Sequence, residues 1–497
     1  MIQRFVQVIK NMLDEGQRYV RTYRNVFIIF ISYLWKPRFL ANGEVGPGMS
    51  TGVTVSKSTV VGLVAVALVA VLAVVLPTLV LLALLAAPCA ALVLANQRRD
   101  FLTPSYLFAS VYGLFLFAGG AWYSLSGDPE VFFAIVLGFA AFVAGVYAVD
   151  EATDFSADAE LRRFLNRPWE RNWTEPGPRL AFAGLVTVTL VGSALYYFTY
   201  GVPIIGGNGE ASRLSSISGQ DYYIHFVMVP LPFLATVAWL KARLSDNRLH
   251  LAGAAVVLGI TAVAMALTGF RALVGHLLIL LLFTDQFVTR RVNFRAIGAA
   301  AVLFLSLFLA VTVVRYQSVD GTPVAIAVKY IRHRIFLVNN ENLNFILGYF
   351  PAEHGYLLGR GYLMDLESML PGADKAFSGW ITTKKLPWLD KPVGITPTLV
   401  GESYANFGYA GVLVVPFLVG AAVRTTFVGL VRSRKRVGTV AFVAMLALFL
   451  AKAALRGIGP TLFVKILPLA LIYVVLETSA ALRPIRYLRN NFHDSTR

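Results

Sequence analysis

Residues 59–95 read TVVGLVAVALVAVLAVVLPTLVLLALLAAPCAALVLA, without a single charged side chain. The run is too long for one membrane crossing, because about 17–25 apolar residues span the hydrocarbon core. Pro77 lies near its centre, and proline interrupts the interior of a helix. The stretch therefore predicts a hairpin of two membrane helices that turns at Pro77.

The rest of the chain continues this composition. Of 497 residues, 57% are hydrophobic and 14% are charged, whereas soluble domains carry about 25% charged residues. Ten further apolar runs predict spans at about 103–123, 130–149, 178–198, 222–241, 251–269, 272–288, 296–314, 408–429, 438–455 and 459–477. We therefore predict an all-α polytopic membrane protein with about 12 transmembrane helices.

The positive charges follow the predicted topology. The chain has 44 Lys and Arg against 27 Asp and Glu, a net charge of +17. If the N-terminus is cytoplasmic, 30 of these 44 cations fall in inner segments, including the RSRKR run at 432–436. Cytoplasmic loops are enriched in Lys and Arg, so both termini are predicted to be cytoplasmic. The net charge then reflects topology, and we expect no nucleic-acid partner.

Two segments lie outside this series of spans. Residues 1–58 are basic and predict an amphipathic cytoplasmic leader on the anionic inner leaflet; residues 59–497 form the polytopic domain. Residues 315–397 predict a large outer loop, which is helical at Val324–Tyr349 and has a turn signal at Gly359-Arg360-Gly361. Structureless loops longer than about 15 residues are usually functional.

Several chemical classes have no recognisable motif. Cys89 is the only cysteine, and the six histidines show neither HExxH nor another paired-ligand spacing. There is no nucleotide-binding glycine loop in a supporting context and no acidic pair in an early outer loop. These gaps weaken the case for an ATP-driven pump, a metalloenzyme or a serine hydrolase, and no metal or other cofactor is predicted.

The cations outside the inner segments are the positive signal. Arginine is costly within a membrane unless it faces a polar cavity or a partner, and guanidinium groups match phosphate oxygens in geometry. A phosphate-binding site at the outer face would use Arg213, Arg271, Arg315, Arg332 and Arg334. An ion pair, an interfacial position or a solvated helix face remains an alternative for each.

A glycine-rich segment joins the outer loop to the span predicted at 408–429. Residues 394–411 read GITPTLVGESYANFGYAG and place Glu402 at the membrane edge. Its carboxylate is either a general base or the ion-pair partner of an arginine.

These elements together resemble a known family. GVPIIGGNGEASR at 201–213, TGFRALV at 268–274, FPAEHGYLLGRGY at 350–362 and PTLVGESYANFGYAG at 397–411 resemble the bacterial oligosaccharide repeat-unit polymerases, the Wzy or O-antigen polymerase type. The resemblance covers about 200–430. It implies a metal-independent, GT-C-like membrane glycosyltransferase related to the O-antigen ligases.

The resemblance also implies the reaction and the partners. A growing glycan would pass from undecaprenyl diphosphate to the terminal sugar of a new lipid-linked unit, at the outer face of the cytoplasmic membrane. Besides the lipid-linked oligosaccharide and membrane lipids, a flippase and a chain-length-regulating co-polymerase are implied as partners.

The resemblance also implies roles for individual residues. Glu402 is the first choice for the base that activates the acceptor hydroxyl, and His354 is the second. The diphosphate would be bound by arginines, namely Arg213, Arg271, Arg315, Arg332, Arg334 and Arg360. Sugar hydroxyls would contact Asp365, Glu367 and Tyr404.

Two other functions stay open. An O-antigen ligase would use the same chemistry on a different acceptor. A 12-span transporter or lipid flippase belongs to another class, against which stand the missing repeat symmetry and the long outer loop.

Overall fold

The structure is a computed structural model. It describes residues 103–125, 129–170, 176–202, 224–245, 247–268, 270–289, 333–370, 376–388 and 395–481, together with the short pieces 298–299, 302–303 and 306. The predicted leader at 1–58 lies outside the described residues, so the division into a leader and a polytopic domain stays a prediction.

All regular elements in the described residues are helical. The first half contains α1 (Pro104–Tyr112), a π-helix (Gly113–Phe117), α2 (Ala118–Leu125), α3 (Pro129–Thr153), α4 (Ala157–Asn166), α5 (Pro176–Tyr200), α6 (Ile224–Met228), α7 (Pro230–Arg243), α8 (Arg248–Leu267) and α9 (Arg271–Thr289). The second half contains a π-helix (His333–Leu337), α10 (Val338–Tyr349), α11 (Arg360–Glu367), α12 (Phe377–Lys385), α13 (Thr398–Arg432), α14 (Val437–Arg456), α15 (Gly459–Thr461), a π-helix (Leu462–Ile466) and α16 (Leu467–Ala481).

The described residues contain nine helices that are long and apolar enough to cross a membrane. They correspond to nine of the predicted spans and confirm an all-α polytopic membrane protein. The predicted hairpin at 59–95 and the predicted span at 296–314 lie outside the described residues, so the total of twelve stays a prediction. The helix prediction for the outer loop is confirmed where the structure describes it, in the π-helix His333–Leu337 and in α10.

Helices α3 and α13 form the centre of the fold. Gly145 lies against the backbone carbonyl of Phe417, and Gly420 lies against the backbone carbonyl of Phe142. A Cβ atom at either glycine would overlap the facing backbone. Small residues permit such close helix contacts in membranes. Phe142 of α3 also stacks on Phe108 of α1, with ring centroids 3.9 Å apart.

One end of the bundle is fastened by basic side chains, and we call it the basic end. Arg167 donates hydrogen bonds to the carbonyls of Val431 and Ser433 at 3.2 and 2.9 Å, which caps the last turn of α13. Lys435 donates to the carbonyl of Leu165 at 2.9 Å and lies over the ring of Trp169. Arg167 thus stabilises the C-terminal carbonyls of α13 and Lys435 one of those of α4, in addition to their predicted role in topology.

The opposite end of α13 and α14 carries the described parts of the long segment 333–388, and we call it the loop end. Here α13 begins at Thr398 and α14 ends at Arg456. Helix α13 therefore begins ten residues before the predicted start of the span at 408, but it is interrupted at Phe407 and Gly408, so a helical segment at 398–406 precedes the predicted span. Burial of this motif against α10 and α11 overrides the weak helix propensity of its glycines.

Candidate active site at the loop end

Helix α13 is broken near its start, and the break holds the preceding loop. Phe407 and Gly408 leave the helical conformation, and Gly408 has a φ of 63° that favours glycine. The backbone N–H groups of Leu357 and Leu358 donate to the carbonyls of Ala405 and Asn406, directly before the break, at 3.0 and 2.9 Å.

Asn406 connects this break to the start of α11. Its Oδ1 accepts hydrogen bonds from the backbone N–H groups of Gly359 and Gly361, at 3.2 and 3.0 Å. Its Nδ2 donates to the carbonyl of Glu402 at 2.8 Å. The first N–H groups of a helix have no internal partner, so Asn406 caps α11 from another helix and fixes its position on α13.

The docking of α11 brings two acidic residues together. Asp365 is 1% exposed and Glu402 is 0% exposed. The Oδ1 atom of Asp365 accepts from the backbone N–H of Phe377 at 3.0 Å, whereas its buried Oδ2 has no N–H donor in the described part of the chain. The Glu402 carboxyl group lies beside that oxygen, and the two groups interact directly.

The turn between α14 and α15 completes the surroundings of this carboxyl pair, Asp365 and Glu402. Glu402 accepts hydrogen bonds from the backbone N–H groups of Ile458 and Gly459. A Cβ atom at Gly459 would overlap Asp365 Oδ2 and would lie 3.0 Å from Glu402 Oε1. At Gly457, φ is 86° and a Cβ atom would lie 2.5 Å from Glu402 Oε2. The turn therefore requires glycine at both positions.

Burial raises the pKa of Asp365 from 3.8 to about 7, and the hydrogen bond from Phe377 and the contact with Glu402 only partly offset this effect. Desolvation disfavours the charged form of a carboxyl group, and two adjacent carboxylates repel each other. The pair therefore takes up protons more readily than two exposed carboxylates would.

Tyr404 and His354 lie in aromatic clusters next to this pair. Tyr404, which is 4% exposed, packs edge-to-face on Tyr356 and Tyr409. His354 is exposed; its ring lies 5.4 Å from Trp380, centroid to centroid, and its Nδ1 is 2.7 Å from the carbonyl oxygen of Gly355. Their contacts join them to the loop rather than to the carboxyl pair.

The predicted cations and Glu367 are placed as follows. Arg334 and Arg360 are exposed, the first in the π-helix before α10 and the second at the start of α11; Glu367 is exposed at the end of α11. Arg271 begins α9, but its side chain lies outside what the structure describes. Arg213, Arg315 and Arg332 also lie outside the described residues.

No three His, Cys, Asp or Glu side chains come together at metal-binding spacing in the described ranges. A metal-independent reaction stays a prediction. Asn406 and the Gly457–Gly459 turn are the site features that the sequence reasoning missed. In the sequence, the first is marked only by an amide side chain within the glycine-rich motif, and the second only by Gly-Ile-Gly between two apolar runs.

Comparison with known proteins identifies the family of the chain. A family model described as "Putative O-antigen polymerase" matches residues 101–454, which include both partners of the carboxyl pair and seven of the nine candidate spans in full. No curated protein and no solved structure gives a significant match. The matched range and the helical membrane architecture agree, so the chain belongs to the O-antigen polymerase family.

Proposed function

We propose that the protein is a metal-independent glycosyltransferase that polymerises undecaprenyl-diphosphate-linked repeat units at the outer face of the cytoplasmic membrane. The growing glycan is transferred en bloc to the terminal sugar of a new lipid-linked unit. The bond between glycan and diphosphate breaks, and the diphosphate leaves with the electron pair. A glycosidic bond forms to the acceptor hydroxyl, whose proton passes to a base.

The observation that carries this proposal is the carboxyl pair beneath α11. When Asp365 and Glu402 together hold a single proton, one negative charge remains, which can accept the proton of a hydroxyl group. The pair lies at the loop end, where a long extramembrane segment meets the spans. A polymerase of lipid-linked glycans needs its chemistry at such a boundary, because the lipid stays in the membrane while the glycan extends into water.

Both members of the pair are closed off from solvent, so the described arrangement is a closed one. We propose that α11 moves away from Asn406 when substrate binds and thereby exposes Glu402; such loop motions gate many enzymes. His354 is already exposed and is the second candidate for the base. Glu367 would bind sugar hydroxyls from the surface, whereas Asp365 and Tyr404 would reach sugar after opening.

The cations would act on the leaving group. Negative charge develops on the diphosphate as its bond to the sugar breaks, and fixed guanidinium groups stabilise that charge. Arg271 at the start of α9 and the exposed Arg334 and Arg360 are the candidates in the described residues. Arg213, Arg315 and Arg332 complete the proposed set.

The proposal also includes partners and topology. Lipid-linked oligosaccharide serves as both donor and acceptor, and a flippase that delivers it and a co-polymerase that sets chain length are further partners. The basic end faces the cytoplasm, as do both termini, because Lys and Arg accumulate there.

The test is incubation of purified protein with undecaprenyl-diphosphate oligosaccharide in EDTA, followed by gel separation of the products. We expect a ladder of repeat units, and we expect Arg271→Ala and Arg334→Ala to lose it while accumulating normally in membranes. A single addition to another acceptor would indicate a ligase. Strict dependence on a divalent ion would refute the metal-free reaction. Absence of any product would favour the transporter alternative.

A further inference from the structure

A second group of charged residues surrounds a cavity at the loop end, on α9, α14 and the π-helix that follows α15. The cavity has a volume of about 30 Å³ and is lined by Lys452, Arg456, Lys465 and His276 among apolar side chains. Arg456 is exposed, Lys452 is partly buried and Lys465 is 6% exposed. The basic groups therefore extend from the surface into the bundle.

The two lysines have little compensation. Lys465 Nζ is buried without a hydrogen-bond partner in the described residues, and the Phe449 ring centroid lies 5.7 Å from it. Lys452 Nζ lies 3.4 Å from Nδ1 of His276. Across the part of the chain that the structure describes, no carboxylate forms a salt bridge with either lysine.

The charges also repel one another. Lys452 is close enough to feel the charges of Lys465 and Arg456, and Lys465 feels that of Arg456. Burial of an ion without a counter-charge costs several kcal/mol. A membrane protein retains such residues mainly where they bind an ion or a substrate, so this arrangement predicts a bound anion.

Depth and shape indicate which anion. With a rise of about 1.5 Å per residue, Lys452 lies roughly 6 Å below the end of α14. Lys465 lies roughly 9 Å below the start of α15. These depths match the boundary between head groups and hydrocarbon. The cavity holds about two water-sized groups, which suits one phosphoryl group and is too small for a sugar ring or a whole diphosphate. Its apolar wall, with Met228, Met265 and Leu448, suits a lipid chain.

We propose that this cavity receives one phosphoryl group of the diphosphate head of a prenyl lipid, with Lys465 and Lys452 as its ligands, and that Arg456 at the entrance binds the other phosphoryl group. The inference rests on the proposed function and adds to it cations on the last two spans, beyond the predicted arginines. Phosphate oxygens would supply the acceptors that Lys465 lacks and the negative charge that offsets the cluster.

The site is tested by binding to the purified full-length protein in detergent, monitored by thermal unfolding. The probes are farnesyl diphosphate, inorganic pyrophosphate and phosphatidylglycerol. We expect farnesyl diphosphate to stabilise the wild type in a concentration-dependent manner. Lys465→Met should weaken its affinity by about 10- to 100-fold, since hydrogen bonds to charged groups are among the strongest. Lys452→Met should also weaken it.

Stability without ligand separates a binding lysine from a structural one. Lys465→Met removes a buried amine that has no hydrogen-bond partner in the described residues, so the ligand-free variant should unfold at a higher temperature than the wild type. Lys435→Met is the matched control, because Lys435 is 2% exposed and donates to Leu165. This control should lower stability and keep the response to farnesyl diphosphate.

The outcomes are distinct. Unchanged affinity in Lys465→Met, or lower ligand-free stability of that variant, would overturn the site. Equal stabilisation by pyrophosphate would identify the anion itself as the ligand, and weaker stabilisation would confirm the prenyl chain. Stabilisation by phosphatidylglycerol alone would overturn the diphosphate assignment. If the wild type binds farnesyl diphosphate but forms no polymer, the site stands and the proposed function fails.

Discussion

Asn406 and Gly361 are in direct contact: Oδ1 of Asn406 accepts a hydrogen bond from the Gly361 N–H at 3.0 Å, and a Cβ atom on Gly361 would lie 2.8 Å from Asn406 Nδ2. This contact joins the outer loop to the broken span. Because Asp365 lies on the helix that begins here, the contact also sets the distance between Asp365 and Glu402.

We therefore expect Gly361→Ala to release α11 from α13. Alanine is more favourable than glycine in a helix by about 1 kcal/mol, so intrinsic propensity alone predicts a more stable α11 in this variant. A loss of order would therefore come from the lost contact with Asn406. Limited proteolysis should cut Gly361→Ala within 350–370 faster than the wild type. Gly355→Ala is the matched control, since a Cβ atom there meets nothing within 4 Å. Equal cutting of both variants would argue against the docking role of Asn406.

The contact between α3 and α13 predicts a second glycine effect. Gly420→Ala places a methyl group against the carbonyl of Phe142, and overpacking of this kind costs about 1–3 kcal/mol. Thermal unfolding in detergent should show a lower midpoint for this variant. Gly429→Ala, in the same helix and with open space around it, should not lower the midpoint. A similar loss in both would mean that helix propensity, rather than packing, decides.

The carboxyl pair predicts a pH dependence. The pKa of Asp365 is raised from 3.8 to about 7, so the folded protein binds its proton more tightly than the unfolded chain. The stability that this proton provides is complete below about pH 4 and is lost as the pH rises to about 7. Asp365→Asn should remove this part of the pH dependence of thermal unfolding. An unchanged pH profile would show that Asp365 is not the group that holds the proton.

A buried ion pair joins the same two helices nearer the basic end. Arg424 is 2% exposed, donates to Asp150 Oδ2 at 2.8 Å and lies over the rings of Phe155 and Phe427. Because Asp150 is partly exposed, Arg424→Met should cost about 1.5–3 kcal/mol of unfolding free energy, the range for hydrogen bonds to charged groups. The double variant with Asp150→Asn should recover part of this loss. A double variant less stable than Arg424→Met would contradict the pairing.

The spans could be predicted from sequence because each one is a continuous apolar run, and burial in lipid leaves helices as the only economical form for the backbone. The break at Phe407 and Gly408 could not be predicted. Its stability depends on the N–H groups of Leu357 and Leu358, about 50 residues earlier. A local pattern cannot indicate which distant segment will supply those donors.

The candidate site likewise combines features that could be predicted from the sequence with features that could not. Glu402 and Asp365 were both predicted as site residues, yet their proximity follows from Asn406 and from the glycines at 457 and 459, which no spacing rule connects. Lys452 and Lys465 lie in apolar runs, where a single lysine gives no sign of the other. Only the packing of α14 against α9 and the following π-helix brings their charges together.

The central claim is that transfer depends on the pair formed by Glu402 and Asp365. The most direct measurement is the initial rate of polymer formation by purified Glu402→Gln, compared with Glu151→Gln at an exposed site near the basic end. Loss of general base catalysis typically costs 10²–10⁴-fold. We predict a loss of at least about 100-fold for Glu402→Gln, with a folded protein by thermal unfolding, and no loss for Glu151→Gln. A ladder formed by folded Glu402→Gln at the wild-type rate would contradict the account.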